Sequence, residues 1–148
     1  MPQQDACALL DSDHQKVERL FAAYQSAGND QTKKSRLAQT ICLELTVHAT
    51  IEEEIFYPAF RKATGEDEVI DEAEQEHQEA RDLITLIEDA EQMDPLMAKL
   101  QKAIEHHVEE ERDEVFPKAR ETPGLDLMAL GAQLESRKRE LLSGSQVV

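Results

Sequence analysis

The sequence predicts an all-α fold: an up-down-up-down four-helix bundle with an additional C-terminal helix. Three observations carry that expectation. The 148 residues include only five Gly, five Pro and no Trp, against many Leu, Ala, Glu, Gln and Lys, which are the residues that lose least on entering a helix. Apolar residues recur at three- and four-residue steps, the period of a helix face. The breaks between these stretches are short, and short connections place successive helices antiparallel. The length suits one domain with its own hydrophobic core.

Helix 1 is expected from about Leu9 to Ser26, with Leu10, His14, Val17, Phe21 and Tyr24 on one inward stripe. Ala27-Gly28-Asn29-Asp30 ends it: Gly suits a C-terminal cap, and the Asp30 carboxylate can cap the next helix. Helix 2 carries Leu37, Ile41, Leu45, His48, Glu52 and Ile55 inward. Pro58 lacks a backbone donor, so a kink or an end is expected there, and Thr64-Gly65 closes the segment. Helix 3 starts near Glu66, where an acidic run faces the positive end of the helix dipole, and its stripe reads Ile70, Ala73, His77, Ala80, Ile84, Ile87. Asp94-Pro95 reads as a cap and first-turn proline opening helix 4, which aligns Leu100, Ile104, His107 and Glu111. Thr122-Pro123-Gly124 breaks the bundle, taken as residues 9–120, from a last helix over about 126–142 bearing Leu127, Leu130, Leu134 and Leu141. Residues 143–148 read as a loose tail.

An internal repeat accompanies these elements. His48 is followed by Glu52 four residues on and Pro58 ten residues on; His107 is followed in the same way by Glu111 and Pro117. Asp13-His14-Gln15 on helix 1 answers Glu76-His77-Gln78 on helix 3. The chain is thus two similar αα-hairpins with a helix appended. A four-residue step stacks an imidazole and a carboxylate on one helix face, about a turn apart. Two such stacks facing each other, with a further inward histidine on each remaining helix, make a site for cations. A lone inward histidine is ordinarily a hydrogen-bonded core residue. Four imidazoles buried with two carboxylates would be costly without a cation, since each buried charge carries a penalty of several kcal/mol.

Other polar residues read more simply. His106 adjoins His107, and alignment to Pro117 selects His107, which leaves His106 on a flank. Glu53, Glu54, Glu109 and Glu110 belong to acidic runs, for most of which a solvated helix face is the plain reading. Tyr24 and Tyr57 fall ten and nine residues past His14 and His48, roughly 13–15 Å along a regular helix, and are expected in the core or at the rim.

The formal charge of −16 argues against nucleic acid and anionic membranes as partners. No apolar run approaches membrane-spanning length, and Met-Pro-Gln-Gln-Asp is no charged and apolar leader. Cys7 and Cys42 lack zinc or redox spacing and read as reduced thiols. A cytoplasmic protein is expected.

One His on helix 1, His-x3-Glu-Glu with a later Tyr-Pro on helix 2, one His on helix 3, and His-x3-Glu with a later Phe-Pro on helix 4 resemble the hemerythrin-like, or HHE cation-binding, family. The resemblance spans roughly residues 9–120. It implies a non-haem di-iron centre bridged by an oxo or hydroxo group, held by His14, His48, Glu52, His77, His107 and Glu111, with Glu52 and Glu111 bridging. Oxygen-carrying members put two histidines a turn apart on the third helix, whereas here Ala73 and Arg81 flank His77 by one turn. One nitrogen ligand is therefore missing. Arg81, forked and permanently charged, is the candidate to hydrogen-bond a bound peroxide or anion, with Glu18 expected nearby.

The main functional expectation is a di-iron protein that binds dioxygen or a related small ligand as sensor, store or scavenger. Six mixed nitrogen and oxygen donors exceed what a four-coordinate zinc needs, and manganese fits the same softness. A second reading is a di-iron oxidoreductase that decomposes hydrogen peroxide or nitric oxide. A third is an iron-handling or regulatory module. The partner is thus a small diatomic molecule or peroxide, and the sequence leaves the oligomeric state open.

Overall fold

The computed structural model describes residues 4–146, and its described residues form an all-helical bundle without strands. Helix α1 is Ala6–Ser26. It begins earlier than the apolar stripe implies, because the Asp5 carboxylate accepts the Ala8 N–H at 2.8 Å and caps the helix there. Asp30 caps the next helix as expected, accepting from the Lys33 N–H at 3.1 Å. Helix α2 comprises Gln31–Ile51, a π-helical turn Glu52–Phe56, and Tyr57–Thr64. Gly65, at φ +74°, terminates it in the left-handed region that suits glycine.

Helix α3 is Asp67–Glu88. Helix α4 repeats the construction of α2, as Asp94–Glu110, a π turn Glu111–Val115, and Phe116–Arg120. Asp94 is already its first residue and does not cap it. The Asp94 carboxylate turns instead to the Tyr24 hydroxyl (2.5 Å) and Lys34 Nζ (3.0 Å), tying the far ends of α1, α2 and α4 together. Helix α5 is Leu127–Gln146. It runs past Ser143, into the segment expected to be a tail; Val147 and Val148 lie outside the described residues.

Pro58 neither ends α2 nor simply kinks it. A proline inside a helix removes one N–H and crowds the carbonyl four residues back. In α2 a wider turn absorbs that conflict, with the Tyr57 N–H reaching Glu52 O, five residues back. The Phe116 N–H likewise reaches Glu111 O ahead of Pro117. Each π turn holds one extra residue and so rotates the helix beyond it. Past Glu52 the buried positions are Phe56, Tyr57 and Phe60, all fully enclosed, while Ile55 is only partly buried.

Pairings across the bundle run antiparallel. Lys16 meets Glu44 while His14 meets His48, and Arg112 meets Asp11 while Asp94 meets Tyr24. Two apolar clusters fill the interior. One holds Leu10, Phe56, Phe60, Ile70, Phe116 and Leu134; the other holds Val17, Phe21, Ile41, Leu45, Ile84 and Leu100. Among the described residues no helix is long and apolar enough to cross a membrane.

Candidate metal centre

Between the two apolar clusters lies a polar layer. His14, His48, Glu52, His77, His107 and Glu111 are all buried in it. Their donor atoms form two groups: His14, His48 and Glu111 in one, and Glu52, His77 and His107 in the other, each with donors within 4.8 Å of one another. The carboxylates reach across. Glu52 Oε1 is 3.2 Å from His48 Nε2 and 3.1 Å from His77 Nε2. Glu111 Oε1 is 2.9 Å from His14 Nε2 and 3.5 Å from His107 Nε2.

Some of these donors pair with each other, as His14 Nε2 does with Glu111 Oε1 at 2.9 Å, but others are left without a partner. His48 Nε2 and Glu52 Oε2 are buried with no hydrogen-bond partner, and the 3.2 Å approach of His48 Nε2 to Glu52 Oε1 lacks hydrogen-bond geometry. His77 Nε2 and His107 Nε2 meet at 3.1 Å, so they cannot both carry a hydrogen and at least one presents a lone pair. Unmade hydrogen bonds of this kind cost about 1–3 kcal/mol each in a buried site, and a cation bound to the same atoms removes the deficit. Each group offers two imidazoles and a carboxylate that could hold a cation, and each carboxylate also approaches a histidine of the other group.

Every imidazole is turned inward by its own carboxylate on Nδ1. Asp11 Oδ1 lies 3.2 Å from His14, Asp13 Oδ2 3.0 Å from His48, Glu53 Oε2 2.7 Å from His77 and Glu76 Oε1 2.7 Å from His107. Such partners fix the tautomer, leaving Nε2 free to ligate, and raise ligand basicity. Cationic side chains hold three of these carboxylates in turn, Arg112 Nε on Asp11 (2.6 Å), Lys138 Nζ on Asp13 (2.5 Å) and Arg81 on Glu53 (2.9 Å), while His106 Nε2 lies beside Glu76 at 3.5 Å. Burial lowers the His48 pKa, but the Glu52 charge and the Asp13 hydrogen bond outweigh it and raise the pKa to about 10. Burial opposes ionisation of Glu52, yet the His48 charge and neighbouring donors hold it well below the usual carboxylate range.

Sequence reasoning leaves out several of these residues. Asp13 and Glu76 precede His14 and His77 in the repeat, and each serves the histidine of the following helix; their shared place in the repeat is the available signal. Glu53 sits in an acidic run that reads as a solvated face, but it is bound to His77 and Arg81. Tyr57 differs most from expectation. The π turn brings it under Glu52, where its hydroxyl donates to Glu111 Oε2 at 2.8 Å and lies 3.2 Å from Glu52 Oε1, 3.4 Å from His77 Nε2 and 3.5 Å from His107 Nε2. Its ring stacks on His77 at 5.4 Å, as Phe116 stacks on His14 at 5.8 Å. In the ring that stacks on its histidine, each half-site repeats the other but for one hydroxyl. Arg81 is bound to Glu53, and Glu18 pairs with Arg112 at 3.1 Å instead of meeting Arg81.

A small cavity opens beside this layer. Its volume is about 30 Å³, and its wall combines all four inward histidines with Val17, Leu45, Ala80, Ile84 and Val108, Arg81 standing at its border.

Fold and site together define a helical-bundle cation-binding domain built on paired His/carboxylate helices. The chain matches the Hemerythrin HHE cation binding domain over residues 5–119, and it belongs to that family. Its fold is similar to the crystal structure of a Hemerythrin HHE cation binding domain-containing protein (Rv2633c homolog) from Mycobacterium kansasii. That likeness has a TM-score of 0.79 at 24% identity, covering 95% of this chain and 89% of the other. No curated protein matches the chain significantly.

Proposed function

We propose that this chain is a di-iron protein of hemerythrin type that binds dioxygen, peroxide or a related small ligand in the cytoplasm. The observation that carries this reading is the cavity touching all four histidines. At about 30 Å³ it exceeds the roughly 10–15 Å³ that one water requires but is far below the roughly 300–1,000 Å³ of organic-ligand pockets. His14, His48 and Glu111 would hold one iron and His77, His107 and Glu52 the other, with Glu52 and Glu111 spanning both. Four imidazoles and two carboxylates suit iron, and equally manganese, better than tetrahedral zinc. Bound iron supplies redox chemistry toward oxygen species.

The chain's own residues do the rest. The carboxylates on Nδ1 orient the imidazoles, the apolar wall excludes bulk water, and Arg81 steadies Glu53 at the cavity border. The second reading, an oxidoreductase that decomposes peroxide, is favoured by the Tyr57 hydroxyl. It sets a proton donor within 3.5 Å of four proposed ligands, Glu111, Glu52, His77 and His107.

Iron content and the optical spectrum test the centre. Glu52→Ala and Glu111→Ala should each lose most of the bound iron, while Glu54→Ala and Glu109→Ala keep it. Equal iron in all four variants would remove the assignment. Oxygen evolution on adding peroxide to the loaded wild type selects the enzyme over the binder.

A further inference from the structure

We infer that Lys138, on the appended helix α5, is a positioning residue for one half of the metal centre, acting through Asp13 on His48. The inference rests on the ligand set proposed above. Lys138 Nζ lies 2.5 Å from Asp13 Oδ1, and the other oxygen of that carboxylate, Oδ2, lies 3.0 Å from His48 Nδ1. Asp13 is 6% exposed, so solvent does little to neutralise or orient it. With Lys138 in place the carboxylate is fixed, the His48 Nδ1 side is bound, and Nε2 is left facing the proposed site. Without it, a buried carboxylate would depend on one imidazole alone.

The register of α5 makes the contact specific. Leu134 is fully buried and Leu130 nearly so. Gly131 packs so closely on the start of α1 that an added Cβ would lie 2.3 Å from Gln4 O. Lys138 therefore cannot slide along Asp13 without undoing that fit. The hemerythrin match ends at residue 119, so this ligand-orienting contact comes from outside the matched region. The other three outer carboxylates are met from within the bundle, by Arg112, Arg81 and His106. Of the four outer carboxylates, Asp13 is the one held from α5, so this contact acts on the half-site of His14, His48 and Glu111.

The test uses the full chain, stripped of metal and titrated anaerobically with ferrous iron against a colorimetric chelator. Wild type is expected to take up two ions. Lys138→Met, which keeps the aliphatic stem, is expected to fill one site normally and bind the other about 10–100-fold more weakly, as loss of outer partners typically does. Lys138→Arg should recover at least half of that loss. Arg137→Ala breaks the neighbouring α5 ion pair to Glu54 and should leave both affinities unchanged. In an Asp13→Asn background, Lys138→Met should add nothing. Two unchanged sites in Lys138→Met, or an equal loss in Arg137→Ala, would overturn the positioning role while leaving the metal centre standing. A further tenfold loss in the Asp13→Asn background would overturn the route through Asp13. A wild type that takes up no iron overturns the metal centre itself.

Discussion

At the scale of single residues, the two half-sites differ at Tyr57 and Phe116. Both rings come directly after a π turn and both stack on a histidine, but only Tyr57 adds an oxygen. Burial pushes its phenol well above the ordinary range, and the charges of Glu111 and Glu52 push further in that direction. In metal-free protein it is therefore a donor, and the hydrogen bond to Glu111 Oε2 offsets part of the cost of burying that carboxylate. Tyr57→Phe keeps the ring packing and leaves that oxygen short of a donor. It should lower the stability of the metal-free protein by about 1–3 kcal/mol, read from urea unfolding at neutral pH. An unchanged midpoint would mean that the hydroxyl contributes nothing to holding Glu111. In the iron-loaded protein the same variant should change the visible spectrum if the oxygen is a donor to iron.

At the scale of elements, α5 and the two π turns decide how the bundle differs from four plain helices. The turns are local answers to Pro58 and Pro117, and wider turns of this kind are frequent at functional sites. Their effect here is to carry Tyr57 and Phe116 onto the histidine layer. Helix α5 docks by a different device, the near contact of backbones at Gly131. No side chain can be added there unless α5 or the N-terminal end of α1 moves. Gly131→Ala should thus destabilise the protein by roughly 1–3 kcal/mol, the usual range for overpacking, despite the gain in helix propensity of about 1 kcal/mol expected at an exposed position. Chemical denaturation distinguishes the two: a variant as stable as wild type, or more so, would show that the contact gives way freely.

For the whole molecule, the polar layer sits between two apolar clusters, so its charge balance bears on global stability. A cation that binds the folded layer and not the unfolded chain adds its binding free energy to folding. Removing iron should therefore lower the Tm clearly and make it depend on metal concentration; coincident melting of metal-free and loaded protein would place the site outside the cooperative core. The metal-free protein should also respond to pH in a defined sense. His48 is raised from 6.5 to about 10, so its stabilisation is complete below about 6.5 and is lost as pH rises through about 10. Glu52 is lowered well below 4.5, so its contribution is present above 4.5 and is lost as pH falls through its folded value. Stability of the metal-free protein should peak between these limits, at about pH 4.5–6.5, and urea midpoints measured across pH 3–10 test the shape. Iron uptake must displace the His48 proton, so affinity should rise with pH over the range below about 10.

The sequence by itself determined the helices, their order and the six inward donors, because these depend on periodicity and on a motif repeated in both hairpins. His14, His48, His77 and His107 fall on apolar stripes whose period is the helix's own, and Glu52 and Glu111 come one turn later. The tertiary structure alone decided how residues on different helices meet. Asp13 serves His48, Glu76 serves His107 and Arg112 holds Asp11, pairings between helices that no local spacing encodes. Tyr57 escaped for a related reason: nine residues at regular helical rise place it far from His48, and only the extra residue of the π turn brings it round. The place of Lys138 depended on the docking of α5, fixed by the approach of Gly131 to the chain's start, a contact between residues more than 120 positions apart. Periodicity is a property of one segment, whereas the orientation of a ligand is set by its neighbours in space.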